Sequence, residues 1–372
     1  MEKKLKVLLT IRQGLVGGGE THVHDLATNI DLQKFKPIVL SFTEGPMVEA
    51  LRVKGIETYV IYSKVPFDPR VRRKVMKLVK DKKVDVIHAH GTRAASNTIS
   101  VSKKLKIPFI YTVHGWSFND SQSYFVRRLR IQAEKYITKN SDQVICVSES
   151  NRLTGENNIK GFKAIVINNG ISFEKFDFNI DRLNSRKLFG LSDNEIWVGF
   201  IARLTFQKDP LTLIKGFNRA YSKEKNLRLL IVGEGELDSK VNDLITNLNL
   251  SNVIKRLPFQ KNIPQLLAAI DIYSLVSLWE GLPIGLLEAM AMKKAIIASE
   301  VDGTKEIIQD GKNGILISPS DINAISNAIS KYIKNKDLIK KYGEEAFLSI
   351  RRDFNLDVMV ENNQSTYLNL IK

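Results

Sequence analysis

Two acidic residues lie eight positions apart in an otherwise nearly apolar segment of the second half of the chain. The segment runs from Trp279 to Ala291 and reads WEGLPIGLLEAMA. Glu280 precedes a predicted helix with Pro283 in its first turn, where proline is well tolerated. Glu288 lies inside that helix, where an unpaired carboxylate would be costly. Ligand hydroxyl groups, such as those of a ribose, would supply hydrogen-bond donors to it, and a salt bridge within the core is the alternative.

Two cations follow the first predicted strand of the same half. Arg203 ends that strand, and Lys208 comes five residues later, just before a helix with Pro210 near its start. Guanidinium and ammonium groups in a strand-to-helix loop suit a diphosphate, because charge-assisted hydrogen bonds to phosphate are strong. A solvated basic loop is the alternative interpretation.

A glycine-rich turn follows the first strand of the first half. It contains Gly14 and the run Gly17-Gly18-Gly19, and a helix begins there. Such glycines let backbone N–H groups approach an anion at a helix N-terminus, although a flexible turn has the same composition. The spacing is not Gly-x-Gly-x-x-Gly and no acidic residue ends the second strand, which disfavours a nicotinamide oxidoreductase.

All five histidines lie in the first half, namely His22, His24, His88, His90 and His114. The positions of His88 and His90, two apart on a strand, predict that they share a face. Neither a cysteine nor a clear carboxylate set completes a zinc site, so the sequence predicts no bound metal. His114 follows the fifth strand and is predicted to face a ligand, with a purely structural strand-end histidine as the alternative.

Apolar runs alternate with helical patterns along the chain, seven runs in the first half and six in the second. Short continuous apolar strands separated by helices predict parallel sheets covered on both faces. We therefore expect two Rossmann-like doubly wound α/β domains facing across a cleft. Ligands of such sheets bind beyond the carboxyl ends of the strands, which is where the residues above lie. The stretch near 169–194 has many charges and no strong period, and is interpreted as the crossing between the halves.

The cysteine count and the hydropathy restrict the cellular context. Cys146 is the only cysteine of the 372 residues, which excludes an internal disulfide and favours a reducing compartment. Its apolar neighbours predict a buried strand position. No apolar stretch approaches the roughly 20 residues that span a bilayer, and the N-terminal apolar run is too short for a signal peptide. A cytoplasmic protein is expected.

The net charge of +16 is unevenly distributed, with +13 in residues 1–180 and +3 in the remainder. A basic half suggests an anionic partner, while a solvated surface is the alternative. The absence of a basic motif interleaved with aromatic residues disfavours nucleic acid. Two segments favour an anionic membrane or a lipid-diphosphate acceptor. Residues 70–80 place Val71, Val75, Leu78 and Val79 along one helical face, and residues 124–130 mix aromatic side chains with arginines. An apolar stripe that faces the core, with a solvated basic side behind it, is the alternative.

The spacing of Glu280 and Glu288, set in Glu-Gly-Leu-Pro and Leu-Leu-Glu-Ala-Met-Ala, resembles the signature of retaining glycosyltransferases of family 4, which have the GT-B fold. The resemblance covers nearly the whole chain. Its other motifs are Gly17-Gly18-Gly19-Glu20, Ile87-His88-Ala89-His90-Gly91, Thr112-Val113-His114-Gly115, Val147-Ser148-Glu149, Asn169-Gly170-Ile171, Arg203-Leu204, Val232-Gly233-Glu234-Gly235 and Gly311-Lys312-Asn313-Gly314.

The resemblance implies a role for each matching residue. Glu280 would hold hydroxyls of the transferred sugar, Glu288 the nucleotide ribose, and Arg203 with Lys208 the diphosphate. His114 would face the donor sugar near the reacting carbon. Backbone N–H groups of the donor site would come from Gly18, Gly19, Gly281, Leu282, Pro283 and Ile284, although a proline contributes no N–H. The implied catalytic set is His114, Glu280, Arg203 and Lys208.

The resemblance also implies the domain roles and the reaction. Residues 1–170 would form the acceptor-side domain, 171–354 the nucleotide-sugar domain, and 355–372 a helix packing back on the first domain. The enzyme would move a hexosyl or N-acetylhexosaminyl group from a nucleotide-diphosphate sugar, most simply a UDP-sugar, to a sugar or lipid-linked acceptor in bacterial polysaccharide or glycolipid synthesis. No metal or other cofactor is expected. A nucleotide-sugar epimerase of the same architecture is the alternative.

The sequence departs from the family pattern at four positions. Ala202 precedes Arg203 where glycine is frequent, and Asp209 follows Lys208 where glycine is frequent. Thr304 and Lys305 replace the usual residues of a Gly-x-Pro-Glu motif, and Ser172 stands where aspartate is usual. The nucleotide site is expected to survive these changes, but the identity of the sugar does not follow from them.

Overall fold

A computed structural model of the chain describes residues 4–15, 17–119 and 122–371. The chain forms two compact units. Unit 1 comprises Met1–Gly170 together with Leu356–Lys372, and unit 2 comprises Ile171–Asn355. Each unit has a single sheet and is considered by itself.

Unit 1 contains seven parallel strands in the order β3-β2-β1-β4-β5-β6-β7. Their bounds are β1 Leu5–Ile11, β2 Phe35–Ser41, β3 Glu57–Val60, β4 Val86–His90, β5 Phe109–Val113, β6 Gln143–Cys146 and β7 Ile165–Val166. The helices are α1 Gly18–Asn29, α2 Pro46–Val53, α3 Pro69–Lys82, α4 Thr92–Leu105, α5 Tyr124–Lys139, α6 Glu149–Asn158 and, from the end of the chain, α15 Leu356–Asn369.

Unit 2 contains six parallel strands in the order β10-β9-β8-β11-β12-β13. Their bounds are β8 Ile196–Ile201, β9 Leu227–Val232, β10 Ile254–Leu257, β11 Ile272–Leu275, β12 Ala295–Ser299 and β13 Ile315–Ile317. The helices are α7 Arg182–Phe189, α8 Pro210–Tyr221, α9 Asp238–Asn247, α10 Ile263–Ala269, α11 Ile284–Ala291, α12 Asp302–Lys305, α13 Ile322–Lys334 and α14 Asp337–Ile350.

The two sheets confirm the predicted pair of doubly wound parallel α/β domains. Both faces of the unit 1 sheet are covered, one by a cluster that includes Leu8 and Ile87 and the other by a cluster that includes Leu9 and Val86. Burial on both faces explains why the strands are continuous apolar runs without alternation. Cys146 is a fully buried free cysteine in β6, as its neighbours predict.

Two expectations need correction. The stretch 169–194 is not simply a crossing, because α7 forms there and its Arg186 is fully buried, with its guanidinium donating to Asp271 and to backbone carbonyls. The apolar stripe of α3 is not available to a membrane, because Val71, Val75 and the other two members are buried in the core of unit 1. Only the basic side of α3 is solvated. None of the helices in the described ranges is long and apolar enough to cross a membrane.

Candidate functional site

The predicted cations and carboxylates of unit 2 follow two neighbouring strands at the point where the strand order reverses. Arg203 and Lys208 come after β8, Glu280 comes after β11, and β8 pairs directly with β11. To one side of this pair the chain continues through β9 and β10, and to the other through β12 and β13. Such a switch point leaves a crevice beyond the carboxyl ends of the strands, where ligands of these sheets bind.

Gln207 ties the two loops together. The Leu278 N–H donates to the Gln207 carbonyl at 2.8 Å, and the Gln207 side chain donates to the Trp279 carbonyl at 2.8 Å. These bonds hold the short 3₁₀ turn Phe206–Lys208 against the segment that carries Glu280. The Lys208 ammonium in turn donates to Glu280 Oε1, which also accepts from the Ser277 hydroxyl.

Arg203 differs from Lys208 in having no such partner. Its side chain is exposed and makes no ion pair or side-chain hydrogen bond among the residues that the structure describes. The backbone around it is fixed, because the Leu204 N–H donates to the Glu234 carbonyl at 3.0 Å and the Ala202 N–H to the Val232 carbonyl at 3.1 Å. A fixed backbone with an uncommitted guanidinium is suited to capture an anion.

Glycines allow loops to approach closely at this site. A Cβ on Gly233 would overlap the Ala202 carbonyl, and one on Gly235 would overlap the Leu204 carbonyl. A Cβ on Gly303 would overlap the Gly281 carbonyl, so the loop that follows Glu280 rests directly on the start of α12. Gly303 opens the segment Gly-Thr-Lys-Glu, which departs from the family motif within its next two residues. The glycine itself is required here for steric reasons.

The departure at Asp209 also has a local explanation. Its φ of +48° lies in the left-handed region, where glycine is favoured and aspartate is among the better-tolerated alternatives. The Asp209 side chain caps α8 by accepting from the Thr212 N–H at 3.3 Å. Aspartate therefore keeps the turn and adds a helix cap that glycine lacks.

Helix α11 presents one accessible stripe. Six of its eight residues are buried, and the two that remain partly accessible are Gly285 and Glu288. They are three positions apart and so lie on the same face of the helix. The helix starts at Ile284 with no side chain capping its first turn. A glycine and a carboxylate on an otherwise buried helix leave room for a ligand to reach the glutamate, as the prediction for Glu288 requires.

Burial raises the pKa of the Tyr273 phenol, and the nearby charges of Glu288 and Glu280 raise it further. A Cβ on Gly285 would come 2.9 Å from the Tyr273 hydroxyl. Tyr273 is therefore a neutral phenol within electrostatic range of both carboxylates.

In unit 1 the structure brings His114 to the N-terminus of α1. A Cβ on Gly19 would lie 3.5 Å from the His114 ring, whereas one on Gly18 would meet nothing within 4 Å. No side chain caps the start of this helix at Gly17. The glycine turn and His114, which the sequence places about 95 residues apart, are therefore neighbours, and the turn remains open at Gly18.

His22, His88 and His90 form a buried network next to His114. His90 Nδ1 lies 3.0 Å from His114 Nε2, and the two rings stack with centroids 5.3 Å apart. His22 donates through Nδ1 to Asn169 Oδ1 at 2.9 Å and meets His114 edge-on. Both nitrogens of His88 are engaged, one by the Tyr367 hydroxyl of α15 and the other by Thr112. His88 and His90 share a face, as predicted.

These imidazoles are neutral at physiological pH. Burial lowers the pKa of His22 to about 4, against the opposing effects of Asn169 and Asp25. Burial also holds the pKa of His90 and of His114 well below the ordinary value, and neighbouring imidazoles and Arg12 lower that of His114 further. None of these three rings is a charged imidazolium at pH 7, so they act as neutral hydrogen-bonding groups.

His22, His90 and His114 offer ligand nitrogens that all lie within 4.8 Å of one another. His22 Nε2, His90 Nε2 and His114 Nδ1 have no partner. The neutral His90 and His114 rings carry one N–H proton each, and one of these two protons forms the hydrogen bond between the rings. The other proton must then lie on His90 Nε2 or on His114 Nδ1, so only two of the three nitrogens without a partner offer a lone pair. The positive potential of Arg12 also acts on His114. The cluster therefore presents two outward lone pairs and one outward N–H.

Sequence reasoning missed several residues of both sites. Ser277 shares Glu280 with Lys208, and Asn169 and Tyr367 orient His22 and His88. Asn169 lies in a motif of the resemblance, so its importance was visible although its partner was not. Ser277 and Tyr367 gave no signal, because each acts through a contact that only the folded chain creates.

Two family models match the chain, one after the other. The model of Glycosyltransferase Family 4 matches residues 16–175, and that of Glycosyl transferases group 1 matches residues 181–348. The chain belongs to glycosyltransferase family 4. It is a glycosyltransferase of the GT-B type, an enzyme class that uses nucleotide sugars, and the epimerase alternative is not favoured.

Curated relatives of this enzyme are glycosyltransferases. It is 28% identical over 307 residues to UDP-Gal:alpha-D-GlcNAc-diphosphoundecaprenol alpha-1,3-galactosyltransferase of Escherichia coli, covering 79% of this chain and 78% of that one. It is 24% identical over 324 residues to N-acetyl-alpha-D-glucosaminyl L-malate synthase of Bacillus anthracis, covering 85% and 83%.

The fold of the enzyme matches that of solved relatives. Anabaena Alr3699/HepE, crystallised with UDP and glucose, has a TM-score of 0.86 at 23% identity, covering 97% of this chain and 99% of that one. A glycosyltransferase of Rickettsia africae has a TM-score of 0.82 at 23% identity over the full length of both chains. At this identity the likeness establishes the shared fold.

Proposed function

We propose that the enzyme transfers a hexosyl or N-acetylhexosaminyl group from a UDP-sugar to an acceptor hydroxyl with retention of anomeric configuration, in bacterial polysaccharide or glycolipid synthesis. The observation that carries the proposal is the convergence of Arg203, Lys208 and Glu280 at the switch point between β8 and β11. Relatives named for UDP-galactose transfer and for capsular polysaccharide synthesis support it.

Each group of unit 2 has a separate task in this proposal. The Arg203 guanidinium, which has no carboxylate partner within the described ranges, binds the diphosphate, and Lys208 turns from Glu280 towards it. Glu280 then accepts hydrogen bonds from hydroxyls of the sugar. Glu288, on the accessible stripe of α11, accepts from the ribose. Backbone N–H groups at Gly281, Leu282 and Ile284 add donors at a helix N-terminus, where anions are stabilised.

In the reaction, the bond between the anomeric carbon and the diphosphate oxygen breaks, and its electron pair leaves on the phosphate. The acceptor oxygen forms its bond on the same face of the sugar, and its proton passes to the departing diphosphate. Arg203 and Lys208 stabilise the charge that grows on the leaving group, which lowers the barrier more than it strengthens ground-state binding. This role needs no metal, so the enzyme is proposed to act without a cofactor.

The acceptor is proposed to be a sugar or a lipid-linked sugar bound by unit 1. The enzyme would meet a lipid-linked acceptor at the anionic inner face of the membrane. The start of α5 supports this docking, because Tyr124, Phe125 and Leu129 are 68, 83 and 72% exposed beside Arg128. Exposed aromatic and basic residues together suit a lipid interface, where each cation near anionic lipid contributes about 1 kcal/mol.

Vesicle sedimentation tests the membrane part. The wild type should bind phosphatidylglycerol vesicles at low salt and not phosphatidylcholine vesicles, and a variant with Phe125→Ser and Leu129→Ser should not bind either. Arg73→Gln on α3 serves as the control for a general loss of charge. Absence of binding to the anionic vesicles would contradict membrane docking and leave a soluble acceptor.

A thermal-shift panel of nucleotide sugars tests the donor, because a ligand that binds only the folded state raises its stability. UDP-sugars should raise the melting temperature, whereas GDP- and ADP-sugars should do so less or not at all. With the donor known, proton NMR of the product assigns the anomeric configuration. Inversion would contradict the retaining mechanism, and release of free sugar with epimerised configuration and no transfer would restore the epimerase alternative.

A further inference from the structure

Unit 1 has a second cationic switch point, which the donor site does not use. The order of its strands reverses between β1 and β4, which pair in register at Ile11 and His90. Arg12 is the first residue after β1, and Arg93 is the second residue of α4, just beyond β4. Both guanidinium groups therefore belong to the carboxyl edge of the same two neighbouring strands, where a ligand of the unit 1 sheet would bind.

Arg93 is partly buried and makes no ion pair or side-chain hydrogen bond within the described ranges of the chain. Burial lowers the pKa of its guanidinium, and the charge of Arg12 lowers it further, which indicates that the two cations act on each other. Among the residues that the structure describes, the one carboxylate paired with Arg12 is that of Glu20, whose Oε1 lies 3.8 Å from Arg12 Nε. Two adjacent cations of this kind destabilise the free protein unless an anion joins them.

The nearby carboxylates do not supply that anion. Glu20 is almost fully buried beside the glycine turn and reaches Arg12 alone. Glu134 is fully buried and accepts hydrogen bonds from the hydroxyls of Thr92, Tyr111 and Ser117, and burial raises its pKa. Neither forms an ion pair with Arg93 among the contacts of the described residues.

Buried polar atoms without a partner lie at the same edge. His90, which is 1% exposed and is the register partner of Ile11, has an Nε2 without a partner among the described residues. His22 Nε2 and His114 Nδ1 are also unpartnered and belong to the same ring cluster. Because the His90–His114 pair keeps one outward N–H in either tautomer, the cluster offers both a donor and acceptors. An incoming hydroxyl or anion would complete these bonds.

We propose that Arg12 and Arg93 form an oxyanion subsite on unit 1 that binds a phosphate or carboxylate group of the acceptor and thereby delivers its hydroxyl to the histidine cluster. The uncapped N-terminus of α4 at Gly91 adds backbone N–H groups that favour an anion. This inference rests on the proposed function, since it names the chemical class of the acceptor. It makes the enzyme specific for anionic acceptors, whether the anion is a lipid headgroup or part of a small soluble molecule.

The test uses the full chain saturated with UDP, so that the phosphate-binding groups of unit 2 are occupied. Isothermal titration then measures the binding of methyl phosphate and, separately, of L-malate at constant ionic strength. At least one of these probes should bind the wild type with a millimolar dissociation constant. Arg93→Gln and Arg12→Gln should each weaken that binding at least tenfold, and Arg93→Lys should weaken it less. Arg73→Gln, an exposed arginine of α3, should leave it unchanged.

The affinity of each variant for UDP separates the possible outcomes. Unchanged UDP binding with lost binding of the probe supports the subsite and shows that the variant is folded. Loss of UDP affinity in Arg12→Gln or Arg93→Gln would assign these residues to the donor diphosphate and overturn the inference. Equal binding of both probes to wild type and Arg93→Gln, or no binding of either probe to a wild type that binds UDP, would also overturn it. A wild type that fails to bind UDP would instead contradict the proposed donor.

The same design identifies the source of the anion. Vesicles containing phosphatidic acid replace the soluble probes, and sedimentation is compared between wild type, Arg93→Gln and the variant with Phe125→Ser and Leu129→Ser. Binding lost with Arg93→Gln supports a lipid headgroup in the subsite. Vesicle binding that is lost only with the α5 variant, while methyl phosphate or malate still needs Arg93, supports a soluble anionic acceptor at the same subsite.

Discussion

Lys208 and Glu280, which the sequence assigns to different parts of the donor, hold each other in the free protein. The Lys208 ammonium donates to Glu280 Oε1, and the Ser277 hydroxyl donates to the same oxygen. Each residue is thereby kept in place without a ligand, and neither charge is left unpaired in a largely buried position. In the proposed function, donor binding exchanges this ion pair for two new interactions, Lys208 with phosphate and Glu280 with sugar hydroxyls.

Glu280→Gln should lower turnover about 10²-fold while changing the affinity for free UDP by less than threefold, because the sugar is absent from UDP. The amide retains the size of the side chain and can still accept from Ser277, so folding should be preserved. Steady-state kinetics with the donor and isothermal titration with UDP measure the two effects. A variant with wild-type turnover would remove the assigned role from Glu280.

Glu288→Gln should weaken binding of free UDP by about 10- to 100-fold, since a hydrogen bond to a charged group contributes about 1.5–3 kcal/mol. The amide keeps the size of the side chain, and urea unfolding of the variant checks that it is folded before its UDP affinity is compared. Glu280→Gln is the matched control, because it changes a neighbouring carboxylate without contacting ribose. Equal UDP affinity of the two variants would contradict the division of roles between the glutamates.

Gly303→Ala should displace the loop that follows Glu280, because the new methyl group would overlap the Gly281 carbonyl. We expect a loss of about 1–3 kcal/mol in the free energy of unfolding, as for overpacking elsewhere, together with a measurable loss of donor affinity. Gly311→Ala is the control, since its φ of +74° makes alanine strained while its surroundings are open. Both variants should be destabilised, but only Gly303→Ala should lose donor binding.

Activity should persist in EDTA, because Arg203 and Lys208 neutralise the diphosphate in the proposed mechanism. Arg203→Ala should lower kcat/KM by about 10²–10³, and added Mg²⁺ should not restore it. Initial rates with and without chelator, in the same buffer, provide the measurement. Complete loss of wild-type activity in EDTA that Mg²⁺ reverses would show that a metal takes part at the diphosphate.

Unit 1 should lose stability in mild acid because of the histidine network. The pKa of His22 is about 4 in the folded protein against 6.5 for a free histidine, so below pH 6.5 the unfolded chain binds more protons. Stability is complete above pH 6.5 and declines as the pH falls towards 4, with His22 alone contributing about 2 kcal/mol of the loss at pH 5. Urea unfolding of wild type and His22→Gln at pH 7.5 and 5 measures the difference. An equal loss in both proteins would show that His22 does not contribute.

The number of strands and their succession along the chain could be predicted from the sequence, because burial on both faces leaves an unbroken apolar run, which is visible without any partner. The helix α7 escaped prediction for the opposite reason. Its most buried side chain is Arg186, and a charged residue does not indicate a core position in a sequence. The position is tolerated because Asp271 and several carbonyls accept hydrogen bonds from its guanidinium.

The residues of the two candidate sites also fall into those that the sequence indicates and those that it does not. Arg203, Glu280 and Glu288 carry local signals, namely a charge beside a strand or within an apolar helix. Arg12 and Arg93 carry none, because each is unremarkable in a Lys- and Arg-rich half of the chain. Their relationship appears only once the register of β1 with β4 aligns Ile11 with His90.

Helix α15 has a consequence for the order in which the enzyme can mature during synthesis. Unit 1 receives this helix only after all of unit 2 has left the ribosome, and Tyr367 of α15 is the hydrogen-bond partner of His88, which was made 279 residues earlier. Until then the core cluster that contains Val7, Leu9 and Val86 lacks Met359 and Val360, which are buried members of the same cluster. A premature stop codon near residue 355 would therefore leave every residue of the donor site encoded, yet release a polypeptide with an open core and an unsupported histidine cluster, which quality-control proteases would recognise.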